Sequence, residues 1–568
     1  MILRALYEYY ERSKNELPAF GRELKEIGFL IVIDKEGNFI RLEDRRKDKK
    51  HAHDFLVKKG VERSSAPVAN ILYDNSAYVF GFSDKENANK YFDVFKKKIT
   101  DIYNTIPDNE DIKAVYQFYQ TESGVILSKI QNDPLWEEVE KNLNKKYSTF
   151  SFLIEGDTRI VAEKEEILSM LEEESKDFNE NICLVSGQRG KTVETTTATM
   201  IPGSQAKAKL VAFQVKSGYD SYGKEKGKNA PICEKSEFAY TTALNHMLRS
   251  ESKNKFLIGN RTFLFWASKD NEVGKDAEEC LMNMLGFQEQ DNPNKGIEQV
   301  KEVFQSISSG RLKTSLDDKF YILGLAPNSA RISVVYWSDL LLKDFAALIL
   351  RHFKDMEIVD TRIEKKPYMG LRSMLGAITL GGKSSDATPN LPEAVVKSIF
   401  QGLPYPYTLF AGCIRRIRAE QSINITRAAI IKAYLNRLNN NNQKNIEIML
   451  DKENTNQGYL CGRLFAVLDK IQGDANNQHS IRERYMNSAS ATPASVFATI
   501  LNLSYHHLEK LNNEGRKVFF EKIKQEIVDK IDADGFPTHL DLQDQGRFFV
   551  GYYHQMQDFY TKNEVTIE

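Results

Sequence analysis

YILGLAPNSARISVVYWSD, residues 321–339, is the stretch on which the fold class turns. Apolar and β-branched residues run up to Pro327-Asn328-Ser329 and resume after Arg331, the pattern of two strands joined by a tight turn. Asn328 is suited to the turn position that needs positive φ, and Arg331 starts the return strand. A strand-borne Arg of this kind fits either a backbone phosphate or a structural ion pair. Beyond this hairpin the pattern is helical to the end, beginning with LLLKDFAALIL at 340–350. Ahead of it the two periodicities alternate. MILRALYEYYERS (1–13) places Leu3, Leu6 and Tyr10 on one helical face. FLIVIDKEGNFIRLED (29–44) reads as a β-hairpin around Lys35–Asn38, FLVKKG (55–60) as a short strand, and APVANILYDNSAYVFGF (66–82) as strand-like. Residues 85–180 read as mostly helical; from 181 strands return in ICLVSG, KLVAFQV and FLIGNRTFLFWAS (256–268), with helices over 238–252 and 274–309. The expected fold is α+β and multidomain: a mixed α/β N-terminal body with antiparallel sheets and an all-α helical-bundle C-terminal domain. The composition shifts place domains at 1–180, 181–339, 340–445 and 446–568, with an Asn-rich linker NRLNNNNQKN (436–445) as the sharpest boundary.

The chain has 568 residues and a net charge of −1, so it is not a polycation and any nucleic-acid surface must be a local patch. The charge is unevenly spread. Residues 365–440 carry 11 Lys+Arg against 3 Asp+Glu, whereas 449–568 carry 13 against 17, which suggests two different partners. Five cysteines, 183, 233, 280, 413 and 461, stand far apart with no C-x-x-C pair, which excludes a zinc ribbon or a dithiol motif by spacing and fits reduced thiols in a cytosol. The first residues lack the apolar core of a signal peptide, and no run is long and apolar enough to span a membrane. A cytoplasmic protein without membrane partners is expected.

Two motifs bear on chemistry. SGQRGKT (186–192) resembles a phosphate-binding loop, but the position five before Gly190 is Val185 rather than Gly, and the β-branched VETTTATM that follows does not open a helix. HAHD, with His51, His53 and Asp54, lacks the further His and Asp ligands a metal nuclease needs, so a solvated charged loop is the better reading. No catalytic residue, metal site or cofactor is expected.

Binding features are stronger. Gly203–Pro231, GSQAKAKLVAFQVKSGYDSYGKEKGKNAP, holds Lys207, Lys209, Lys216, Lys224, Lys226 and Lys228 against one Asp and one Glu, with Tyr219 and Tyr222 among glycines and serines. Such a run can follow a phosphate backbone and stack on bases; its bland alternative is a solvated hairpin or mobile loop. Asn70 and Asn75 can present amide edges to bases or cap turns. Arg415, Arg416 and Arg418, with Arg427, Lys432 and Arg437 on the next helix, form an expected basic helical face.

MILRALYEYYER, GVERSSAPVANILYDNSAYVFG, SGYDSYGKEKGKNAPICEKSEFAYTTALNHML, TFLFWA, LGLAPNSARISVVYW and YLCGRLFAVLDKIQ together resemble one family along essentially the full chain: the large subunit of the type I-C CRISPR surveillance complex, Cascade. The resemblance implies a non-catalytic subunit in antiviral defence. Such a subunit recognises the protospacer-adjacent motif in duplex DNA, promotes duplex opening and R-loop formation, and sits near the 5′ end of the guide RNA (crRNA). Its implied partners are the target DNA, the backbone and guide-processing subunits and a helicase–nuclease effector. A small subunit made from the C-terminal region is also implied, for which Met449 is well placed as an internal start. The residues chosen on chemistry are Asn70, Asn75, the lysines and tyrosines of 203–231, Asn328, Arg331, Arg415, Arg416 and Arg418. Two alternatives stand beside this reading: a metal-dependent nuclease using the His51–Asp54 region, and a purely structural assembly subunit.

Overall fold

The computed structural model describes residues 2–561 except 62, 64–66, 84–87, 144, 146, 170–179, 214–219, 221, 250, 286–292, 313–317, 363–368, 439–443 and 477–479. The architecture is α+β. The chain forms two compact units, one of residues 1–199 and 209–246 and the other of 200–208 and 247–568.

The first unit is organised by Phe29–Ile33, whose five residues are all buried. It pairs antiparallel with Phe39–Asp44, closing the hairpin read from the sequence, with Gly37 at φ 82 in the turn. Its other edge pairs with Phe150–Ile154, and this pairing is parallel, unlike the antiparallel sheets expected. Phe150–Ile154 lies within the stretch read as mostly helical. FSFLI is buried on both faces, so it lacks the alternation that marks a half-exposed strand. Tyr73–Asp74 completes the sheet. The strand-like 66–82 segment otherwise gives only this two-residue strand and a short helix, Ser76–Val79. A second antiparallel pair joins Arg22–Ile27 to His53–Lys58. Helices Ala88–Thr105, Glu110–Phe118 and Ser123–Gln131 supply Phe95, Ile99, Val115 and Ile130 to the core around the sheet.

In the second unit, Lys255–Ile258, Arg261–Ala267, Lys319–Asn328 and Arg331–Leu341 form a four-stranded antiparallel meander. The decisive hairpin is present, with Asn328 facing Arg331 across a two-residue turn. The positive-φ position is Ser329 (φ 53), not Asn328 as expected. Asn328 instead donates its amide N–H to Ser333 Oγ at 3.3 Å, which holds the neck of the turn. KLVAFQV, expected as a strand, forms none over 209–213, and Gln214 and Val215 lie outside the described residues.

The helical remainder is centred on Gln457–Asn476, which buries residues 458–469 without a break. It crosses Leu542–Asp558 with almost no space between the two backbones. A Cβ on Gly462 would sit 1.9 Å from the Phe548 carbonyl oxygen, one on Gly458 2.5 Å from that of Asp544, and one on Gly551 2.3 Å from that of Tyr459. Most polar groups enclosed beside this crossing are paired among the described residues, the exceptions being Arg463 Nη1 and His554 Nε2. Arg463, with no exposed surface, donates to Gln555 at 3.1 Å and to Glu526 at 2.9 Å. The Tyr552 hydroxyl donates to buried Asp469 at 2.7 Å, and the Tyr459 hydroxyl lies 2.9 Å from His554 Nδ1. Helix Ile425–Leu438 packs on the same Leu542–Asp558 helix.

Two outcomes follow from this packing. Gly462→Ala forces apart backbones rather than flexible side chains, so a loss of at least about 1–3 kcal/mol is expected in chemical denaturation. A wild-type midpoint for Gly462→Ala would refute the close crossing. Burial holds His352 and His554 neutral, pushing both down to about 3. The unfolded chain protonates each near pH 6.5, so stability is unaffected above that pH. It falls by about 1.4 kcal/mol per pH unit for each histidine as pH drops from about 6.5 towards 3. Urea midpoints across this window, compared with His554→Gln, measure the slope; an identical slope in the variant would sink the assignment for His554.

Candidate nucleic-acid interface

Asn70 and Asn75 line one cleft of about 300 Å³ in the first unit, together with Lys25, Arg63, Lys145 and Ser148. The residue that assembles it is Asp74, which is 2% exposed. Its carboxylate accepts the backbone N–H of Asn70 (3.0 Å) and of Asn75 (2.9 Å) and pairs with the Arg63 guanidinium. Burial raises the Asp74 carboxyl, while Arg63 and the two N–H groups pull the other way. Arg63 is oriented further by the Tyr78 ring, 4.1 Å from its guanidinium carbon, and by the Val68 carbonyl, to which its Nε donates at 2.8 Å. The sequence suggested base-edge or capping roles for the two Asn side chains, and the capping role is visible. Asn75 Oδ1 accepts from Ala77 N at 3.1 Å as the N-cap of Ser76–Val79, and Asn70 Oδ1 accepts from Val61 N at 2.9 Å. Each oxygen has one lone pair so engaged, and the amide N–H donors of both side chains have no partner among the described residues. Ser148 Oγ is buried there and has no hydrogen-bond partner among the described residues. Lys25, Arg63 and the Lys145–Ser148 stretch are not legible in the sequence because they come from three segments that no spacing rule connects.

The basic run changes unit along its length: 203–208 belongs to the second unit and 209–231 to the first. Its start docks on the decisive hairpin, where Gln205 N donates to the Ser329 carbonyl at 3.2 Å. Lys207 is exposed and Lys209 half-buried, while Lys216 and Tyr219 lie outside the described residues. The end of the run is an ordered turn. Tyr222 and Lys226 take positive φ (52 and 49), and Lys226–Asn229 forms one 3-10 turn. Gly227 lies so close to Val193 that a Cβ would be 2.1 Å from its carbonyl oxygen, which leaves room for glycine alone. Lys226 pairs with Glu194 at 2.6 Å on the surface. Lys224 and Lys228 point out, and Tyr222 is 98% exposed.

The expected basic helical face is not formed. Arg427, Lys432 and Arg437 are enclosed: Arg427 donates to the Ala377 carbonyl at 2.8 Å, and Arg437 pairs with Asp355 at 2.6 Å and stacks on Tyr405. Arg416 pairs with Glu420, and Arg418 donates to Gln545 at 2.6 Å. Arg415 is the exposed member. Arg331 is half-buried at the start of its strand. Helical periodicity cannot tell a solvated basic stripe from one that faces other helices, because buried Arg and Lys are paired rather than excluded.

SGQRGKT and HAHD have other surroundings. Arg189–Lys191 of SGQRGKT is a strand paired with Glu180–Ile182. His51 faces Glu26 at 3.1 Å and Asp54 faces Lys47 at 3.8 Å, while His53 opens a strand. Among the described residues no three His, Cys, Asp or Glu side chains converge as a metal site, and no helix is long and apolar enough to cross a membrane.

No curated protein matches the chain. A protein family described as CRISPR-associated protein (Cas_Csd1) matches residues 6–560, a span that takes in the Asn70–Asn75 cleft, the basic run and the helical C-terminal part. The chain therefore belongs to the CRISPR-associated Csd1 family, that of the large subunit of the type I-C Cascade complex.

Proposed function

We propose that this subunit is the non-catalytic reader of duplex DNA in its complex. It recognises the protospacer-adjacent motif, promotes duplex opening and R-loop formation beside the 5′ end of the guide RNA, and leaves degradation to a recruited helicase–nuclease. The observation that carries the reading is the Asn70–Asn75 cleft, where two amide donors stand beside Lys25, Arg63 and Lys145. Cations position a duplex through its phosphates; donors at fixed places discriminate among base edges. Because one lone pair of each Asn oxygen is held by a backbone N–H while the amide N–H donors are uncommitted, the cleft favours edges rich in acceptors, such as guanine N7 and O6 or the minor-groove acceptors of A·T pairs. The Tyr222–Lys228 turn supplies a different, sequence-blind contact: an exposed ring to stack on a base and Lys224 and Lys228 for phosphates.

Family membership supports assembly with other Cascade subunits. The proposed small subunit from Met449 would leave behind helix Ile425–Leu438, which covers Leu542–Asp558 in the full chain. A separate product thus needs another surface to cover that helix, and the Cascade backbone is the proposed one.

Gel shifts of the assembled complex on duplexes with and without the adjacent motif separate the two contacts. Asn75→Ser keeps an N-cap oxygen and removes the amide donor. It should weaken motif-bearing duplex about tenfold or more, with motif-free duplex unchanged. Lys224→Ala with Lys228→Ala should weaken both duplexes alike and reduce the salt slope by about 0.9 per lost phosphate contact. Equal affinity of Asn75→Ser and wild type for the motif-bearing duplex would refute the reading role of the cleft.

A further inference from the structure

The five cysteines are distant in sequence, yet two of them touch. Cys183 and Cys233 are 50 residues apart, and Cys233 N donates to Cys183 Sγ at 3.2 Å. The Cys233 thiol is itself hydrogen-bonded to the Cys183 sulfur. Three backbone links hold the two segments in register: Leu184 N to the Pro231 carbonyl and Val193 N to that of Ile232, both at 2.9 Å, and a bridge between Thr192 and Cys233. Gly190 makes the space for the pair, since a Cβ there would meet Cys233 Sγ at 3.2 Å. Cys233 immediately precedes the 15-residue helix Glu234–Leu248, so Cys183 Sγ lies at a helix N-terminus.

The surroundings divide the two sulfurs into different chemical roles. Burial raises the Cys183 thiol, but the Cys233 N–H, the Ser236 and Ser186 hydroxyls and the Ser186 N–H outweigh it and bring the group down to about 6. Burial and the negative Cys183 sulfur push Cys233 up to about 11. Near neutral pH the pair is one thiolate beside one thiol. Burial pushes Cys280, Cys413 and Cys461 up to about 12, so they remain unreactive thiols.

We propose that Cys183 and Cys233 form a peroxide-responsive pair that closes to a disulfide and locks the base of the basic run. The Cys183 thiolate attacks one oxygen of hydrogen peroxide, the O–O bond breaks, and after proton transfer a sulfenic acid and one water result. The Cys233 sulfur then attacks the sulfenic sulfur, forming the S–S bond, and the sulfenic oxygen leaves as a second water. Two thiols are oxidised and one peroxide is reduced. Cys183 and Cys233 are 1% and 7% exposed, which restricts the reaction to small oxidants. The covalent ring so closed, 183–233, contains all of Gly203–Pro231, and its effect on that loop does not depend on the DNA-reading role.

The full chain is treated with hydrogen peroxide, denatured, alkylated and mapped by mass spectrometry. The expected result is a single Cys183–Cys233 linked peptide, alkylation of the other three cysteines, and a melting temperature raised by oxidation and restored by reductant. Cys233→Ser should trap a dimedone-reactive sulfenic acid at Cys183, while Cys183→Ser should leave Cys233 unoxidised. Oxidation of Cys183 to sulfinic acid in the unmutated chain without a link, or equal oxidation of all five cysteines, would overturn the proposal. The map of the unmutated chain decides even where a serine variant folds poorly.

Discussion

The close backbone approach of Gln457–Asn476 and Leu542–Asp558 at three glycines is the constraint from which the helical half follows. Gly458, Gly462 and Gly551 let carbonyl oxygens of one helix rest where Cβ atoms would otherwise be. At that separation the neighbouring positions are sealed from water, so polar groups there are driven to find partners inside, and of the residues named next only Arg463 Nη1 and His554 Nε2 have none among the described residues. Arg463 with Glu526 and Gln555, Asp469 with Tyr552, and Tyr459 with His554 answer that requirement. Helix Ile425–Leu438 then packs on the same Leu542–Asp558 helix, and its Arg427 and Arg437 turn inward to carboxylates and carbonyls.

The candidate site obeys the same rule on a smaller scale. Asp74 is a buried carboxylate whose partners are two backbone N–H groups and one guanidinium. Satisfying it sets the path of the chain on both sides of Tyr73–Asp74. That path brings Asn70, Asn75 and Arg63 to one cleft, and Lys25 and Lys145 arrive from elsewhere in the same unit. The Tyr222–Lys228 turn contrasts with this. It is anchored by Gly227 and by the Lys226–Glu194 pair, and it leaves Tyr222, Lys224 and Lys228 facing water. In the function proposed above, the first would discriminate and the second would hold, since positioning and specificity are separate problems.

The hairpins at 29–44 and 321–339, the N-terminal helix and the helical C-terminal half were all legible, because each has an apolar period that matches its secondary structure. Phe150–Ile154 was not: a strand buried on both faces has no alternation to read. The turn chemistry was close but displaced by one residue, from Asn328 to Ser329, since either can adopt positive φ and the choice falls to the hydrogen bond with Ser333. Asn70 and Asn75 were identifiable by residue type, whereas their cationic neighbours were not, because nothing in a one-dimensional pattern records convergence. The same blindness hid the Cys183–Cys233 contact behind a spacing that argues against any pair.

What the sequence alone determined is whatever depends on local period and composition: the α+β class, the two hairpins, the near-zero net charge that forces any nucleic-acid surface to be local, and the motifs that mark the family. What only the tertiary structure decided is which polar residues are inside. Arg427, Lys432 and Arg437 share the helical periodicity of a binding face yet are enclosed, whereas Arg415 on the neighbouring helix stays exposed. The reason is physical: burial of a charge is settled by the partner that meets it, and partners are brought together by packing across long stretches of chain rather than by neighbours in sequence.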